Sequence, residues 1–117
     1  MTQDTNMVGP GKDLRIFIGE SDRWQHRSLV EALVEMLRAE GLAGATVTHG
    51  IAGFGAHSRI HTAHVLRLSE DLPIVIEAID TPERIEAVLP KVREMVSEGL
   101  VVLSDVEIVL YRHREQG

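Results

Sequence analysis

Histidines at positions 57, 61 and 64 form an H-x3-H-x2-H pattern in the middle of the chain. On a helix this spacing puts three imidazoles on one face, where their neutral nitrogens could bind zinc, copper or nickel. In a loop or strand the spacing loses that meaning within one chain, although copies of one histidine could still meet on the axis of an oligomer. The same histidines also read as polar loop groups that donate hydrogen bonds and gain charge near neutral pH. A second chemistry overlaps the first. Residues 41–69 contain no Asp or Glu, although the chain has 18 acidic residues, and they hold Arg59, Arg67, His49, His57, His61 and His64. Glycines at 50, 53 and 55 leave backbone N–H groups bare for close approach to an anion. Gly53, Phe54, Gly55, His57, Arg59 and His61 are therefore candidate contacts for a phosphate, a carboxylate or an acidic partner. The competing reading is an ordinary glycine-containing hairpin.

Other groups weigh less. Trp24 lies in Glu20-Ser21-Asp22-Arg23-Trp24-Gln25-His26, where an indole either stacks on a base or covers the edge of a core. Covering is the commoner role. Charged turn residues such as Glu20, Asp22 and His26 are ordinary, and Ser21 shows no His–Asp arrangement, so no catalytic residue is assigned. Glu77 interrupts an apolar strand and needs solvent, an interface or a basic partner. Arg15 is the expected partner across the sheet.

The elements that must position these residues follow from periodicity. Leu14 to Gly19 reads as an interior strand. Ser28 with Glu31 is a capping box opening a helix whose buried stripe is Leu29, Val30, Leu33, Val34 and Leu37, and Gly41 stops it. Ala45 to Ile51 alternates as a strand, and residues 54–63 form a polar loop. Val65–Leu68 and Leu72–Ile79 are strand again, with Pro73 at an edge or interruption. Thr81-Pro82 caps a second helix with Ile85, Val88, Leu89, Val92, Met95 and Val96 inward. Pro90 is expected to kink or split it. Gly99 ends this unit, and a strand from Leu100 to Tyr111 is expected to break near Ser104-Asp105. Gly9-Pro10-Gly11 marks residues 1–12 as a mobile tail, with the domain at 13–112 and a second tail at 113–117. The order βαββαβ predicts an α+β, ferredoxin-like fold, with two helices on one face of a four-stranded antiparallel sheet. The opposite face would then be covered by self-association.

Composition limits the rest. A chain of 117 residues fits one domain, and its lack of Cys removes disulfides, thiolate metal sites and Cys nucleophiles together. A net charge of −6 argues against general nucleic-acid binding. No apolar run reaches the ~20 residues of a membrane span, so a cytoplasmic protein without membrane insertion is expected.

Five separated motifs then carry a resemblance: IFIGESDRW, GIAGFG, the IHT of the loop, LSEDLPIVIE and EGLVVLSDVEIVLYR. In this order they resemble the PII-like signalling proteins, and more specifically the domain-of-unknown-function family DUF190, over about residues 14–112. The resemblance implies a homotrimer with a small anionic ligand, a nucleotide among the candidates, bound in clefts between subunits. It implies that Gly53, Phe54 and Gly55 form the base of a loop, 54–63, that reports occupancy to a protein target such as a membrane transporter or channel. It also implies ligand contacts near Gly99 and from the basic region of Arg112 and Arg114. Glu98 and Leu100 flank Gly99 where PII proteins are expected to carry a phosphate-binding lysine, which favours a smaller or less charged ligand than a triphosphate. No enzyme activity, cofactor or metal is implied. The alternatives are a small enzyme working in an intersubunit cleft, or a metal-binding or structural module built on the loop histidines.

Overall fold

The computed structural model describes residues 4–51, 53 and 72–114. The expected loop at 54–63 and strand at 65–68 lie outside these residues. Strand β1 (Asp4–Gly19) is followed by a small hairpin of β2 (Arg23–Trp24) and β3 (Arg27–Ser28). Helix α1 (Leu29–Ala39), β4 (Thr46–His49), β5 (Pro73–Asp80), α2 (Pro82–Met95) and β6 (Leu100–Arg114) follow among the described residues. The main sheet has the order β4-β5-β1-β6, with every pair antiparallel. It is the ferredoxin-like α+β arrangement, with the β2–β3 hairpin inserted before the first helix.

Alternation along β1 and β5 decides which face is covered. Leu14, Ile16 and Ile18 on β1 and Ile74, Ile76 and Ala78 on β5 point into one core. Leu29, Ala32, Leu33 and Leu37 of α1 and Ile85, Val88, Val92 and Met95 of α2 close it. Val30, Val34, Leu89 and Val96, expected inside, are only half-buried at the rim. The intervening positions Asp13, Arg15, Phe17, Val75, Glu77 and Ile79 therefore point to the open face.

Both helix starts are built as expected. The Ser28 hydroxyl accepts from the Glu31 N–H at 3.3 Å, and Thr81 does the same for Arg84 at 3.4 Å, with Pro82 in the first turn. Gly41, at φ 90°, follows the end of α1. Three expectations are corrected. Residues 4–12 are strand, since β1 pairs with β6 from Asp4–Arg114 inward. Gly9 takes φ 113° beside the irregularity at Met7/Gly9, and Gly11 is compact because Ile108 lies over it; a Cβ there would come within 2.6 Å of Ile108 Cδ1. Pro10 is tolerated because the ladder to β5 begins only at Lys12, leaving β1 as an edge at this point. Of the kink or split expected at Pro90, the split does not occur, since α2 runs unbroken to Met95. The carbonyl that loses its donor belongs to Glu86, an exposed residue. Finally, β6 is not interrupted at Ser104-Asp105, which pair with Asp13 and Lys12; the bulge lies farther along, where Val109 and Leu110 oppose Val8.

Candidate functional site

One end of the main sheet carries Gly53 and Gly99, two of the expected site residues. There β1 and β4 finish, and β5 and β6 begin. Gly50 N–H donates to Pro73 O at 2.7 Å, and Glu20 N–H to Leu72 O at 2.8 Å, so the two stems of the central segment are tied to each other and to β1. Gly50 is required at this closure, because a Cβ would lie 2.8 Å from the Pro73 ring. Gly53 has φ 154° and sits close to the same proline, 3.6 Å from where a Cβ would be. Phe54, Gly55, His57, Arg59, His61 and His64 lie outside the described residues.

The β1–α1 connection borders this end. Asp22 accepts from the Gly19 N–H through its carboxylate at 3.0 Å, and its own carbonyl accepts from Leu29 N–H at 2.9 Å. Between these anchors, the β2–β3 turn places Gln25 at φ 49° and His26 at φ 67°, both in the left-handed region. Arg23 Nη2 donates to His26 O at 2.9 Å and holds the turn closed. The sequence had no signal for this hairpin, since such turns ordinarily use Asn or Gly. Trp24 is half-buried and packs on the core edge.

Gly99 reaches the same end from α2. It takes φ 148°, and a Cβ would stand 2.6 Å from Phe17 O. Gly99 therefore lets the turn before β6 press onto the β1 backbone. Arg112 is elsewhere: it pairs with Asn6 at the opposite end of the β1–β6 ladder, whereas Leu100 pairs with Phe17. At ~3.3 Å per residue, Gly99 and Arg112 stand roughly 40 Å apart along β6. One chain brings Gly53 and Gly99 to the same end and leaves Arg112 at the other.

The electrostatics correct one detail. His49, counted with the basic segment, meets Glu20 at 3.2 Å. A His–carboxylate pair is also what an enzyme would use, but both side chains are about half exposed (53% and 44%), as in a surface ion pair. Among the described residues no group of three or more His, Asp or Glu side chains is placed to hold a metal ion. No helix of the described residues is long and apolar enough to cross a membrane.

The expected Arg15–Glu77 partnership is present on the open face. The two residues pair in register, with Arg15 Nε 3.8 Å from Glu77 Oε2 and 3.7 Å from Asp13 Oδ2. Asp13 was the member missed from sequence.

A sheet of order β4-β5-β1-β6 with both helices on one face is the ferredoxin-like arrangement on which the PII-like fold is built. Solved structures agree with this architecture. A nitrogen regulatory PII-like protein, CPII from Thiomonas intermedia K12, bound to ADP, AMP and bicarbonate, superposes with a TM-score of 0.65 at 21% identity, over 87% of this chain and 91% of that one. The apo form of the same protein gives 0.59 at 18% identity, over 89% and 97%. The chain belongs to the DUF190 family, described as an uncharacterized ACR, whose model matches residues 11–108. Relatives include a UPF0166 protein of Methanocaldococcus jannaschii, 35% identical over 98 residues (83% of this chain, 90% of the relative). Another from Aquifex aeolicus is 36% identical over 98 residues (84% and 92%).

Proposed function

We propose that this protein is a non-enzymatic, cytoplasmic PII-like regulator. It assembles as a homotrimer and binds a small anionic ligand in the clefts between subunits. An adenine nucleotide and bicarbonate are the first candidates, because CPII, which shares the fold, is described with ADP, AMP and bicarbonate bound. The ligand contacts are Gly53, Phe54, Gly55, His57, Arg59, His61 and Gly99 of one subunit and Arg112 of the next. Occupancy orders the 54–63 loop, and the loop engages or releases a protein target, a membrane transporter or channel. The physical basis is order–disorder coupling, in which ligand contacts offset the entropy of fixing a glycine-flanked loop.

The observation that carries the reading is the separation along β6. Gly99 and Arg112 of one chain stand too far apart to touch one small ligand, so they meet only when a second copy brings its β6 end to the first copy's loop base. The open face supports the same assembly. It carries Phe17, Val75, Val102, Ile79 and Leu100, the last two 42% and 56% exposed. Self-association would remove this surface from water, a gain of roughly 25 cal/mol per Å². A thermal-shift panel of ADP, AMP, ATP and bicarbonate, read beside light scattering, tests the proposal. A ligand at 100 times its Kd stabilises the fold by about 2.7 kcal/mol. No shift with any nucleotide or bicarbonate at millimolar concentration removes the ligand assignment. Monomeric mass removes the cleft.

A further inference from the structure

Asp13 is 8% exposed in the centre of the open sheet face, and its Oδ1 is buried with no hydrogen-bond partner. A carboxylate oxygen in that position is costly to leave unserved. The neighbouring cation, Arg15, is 3.7 Å from the other oxygen, Oδ2, and 3.8 Å from Glu77 Oε2. One guanidinium thus faces two carboxylates, and the group has a net charge of −1 when both are ionised. Asp13 and Glu77 occupy diagonal positions on adjacent strands, since Asp13 pairs with Ile79 and Arg15 with Glu77. A proton on Glu77 supplies an O–H donor on the strand next to Asp13.

We propose that Asp13 and Glu77 share a proton when neighbouring copies cover the open face, so that trimer assembly takes up protons and strengthens as pH falls. The proposal rests on the trimer reading and adds a regulation to it. Covering the face removes water from a cluster with an uncompensated negative charge, and desolvation favours its neutral form. The Glu77 carboxyl already titrates above the ordinary glutamate range in one chain. The hydrogen bond that a protonated Glu77 makes to Asp13 is the main cause, followed by burial and the Asp13 charge, against a smaller opposing effect of Arg15.

No other charged group among the described residues answers the cluster on that face. From β6 the residue opposite Asp13 is Ser104, and from β4 the residue opposite Glu77 is Thr46. Lys12 and Asp105 point the other way and bind each other at 2.7 Å. The positions beside them on β1 and β5, Gly11 and Ile79, carry no charge.

The test is sedimentation equilibrium of the full chain between about pH 5 and 8.5 at fixed ionic strength, for wild type, Glu77→Gln and Asp105→Asn. With at most one proton taken up per subunit, the trimer association constant of wild type falls by up to about 1,000-fold per pH unit as pH rises. Glu77→Gln, which is neutral at every pH, assembles with a flat profile. Asp105→Asn makes the same change in net charge away from the open face and keeps the wild-type slope. A Glu77→Gln slope equal to wild type, or a wild-type trimer insensitive to pH, overturns the shared proton while leaving the trimer standing. Monomers at every pH overturn the trimer reading and this inference together.

Discussion

Replacing Gly99 by Ala isolates the contact that fastens the α2–β6 turn to the central strand. Two costs are separable. The φ of 148° is one that L residues rarely adopt, and leaving the allowed regions costs about 1–2 kcal/mol. The added Cβ would also lie 2.6 Å from Phe17 O, 3.1 Å from Ile18 Cγ2 and 3.3 Å from Val96 Cγ1. The first neighbour is backbone of an interior strand and cannot swing aside, so overpacking adds roughly 1–3 kcal/mol. Gly41→Ala is the control, because Gly41 has φ 90° but no atom within 4 Å of the Cβ position. That variant bears only the conformational cost. Urea unfolding at one protein concentration, with slopes compared, reads the difference. Gly99→Ala is expected to be less stable than Gly41→Ala by about 1–3 kcal/mol. Equal destabilisation of the two variants would refute the close approach, and with it the placement of Gly99 against the end of β1.

Further outcomes follow from single contacts. Asp80 is fully buried and accepts the N–H groups of Ala43 at 2.8 Å and Thr81 at 2.7 Å. Asp80→Ala leaves both donors unserved and should cost about 2–5 kcal/mol by denaturant unfolding, with Asp80→Asn recovering part of the loss. Glu77 has a folded-state pKa raised above its unfolded value, so its contribution to stability is present at low pH and is lost as pH rises through the folded value. Glu77→Gln should therefore melt higher than wild type at neutral pH, with the gain vanishing below about pH 4. A constant gain across that range would contradict the assignment. Arg112→Glu should weaken nucleotide binding at least tenfold in calorimetry while leaving the melting temperature of the ligand-free protein unchanged, because Arg112 is an exposed residue of β6. Unaltered affinity would remove it from the ligand site.

The fold was legible because the chain writes its main elements in independent ways. Ser28 with Glu31 and Thr81 with Pro82 mark both helix starts by capping chemistry, and the stripes behind them mark which face is buried. The Arg15–Glu77 pair was legible because a lone carboxylate in an apolar strand demands a cation, and a strand pairing offers few positions for one. Asp13 was not, because its burial depends on the register of three strands at once. The β1–β6 extension failed for a different reason. Gly9-Pro10-Gly11 looks like a chain break locally, yet one glycine admits a left-handed turn at a bulge and the other admits Ile108 overhead. The separation of Gly99 from Arg112 follows from β6 running without a break from Leu100 to Arg114, where an interruption near Ser104-Asp105 was expected. The Gln25–His26 turn carries no composition signal at all, and its geometry is set by the anchors on either side.

Sedimentation of the protein with ADP, recording protein mass and bound nucleotide in the same boundary, tests the central claim most directly. The account predicts a species of three times the 13.0 kDa chain mass, carrying one ADP per subunit at saturation. Nucleotide sedimenting with a single 13.0 kDa chain, or a trimer that carries none at millimolar ADP, would contradict a nucleotide site shared between subunits.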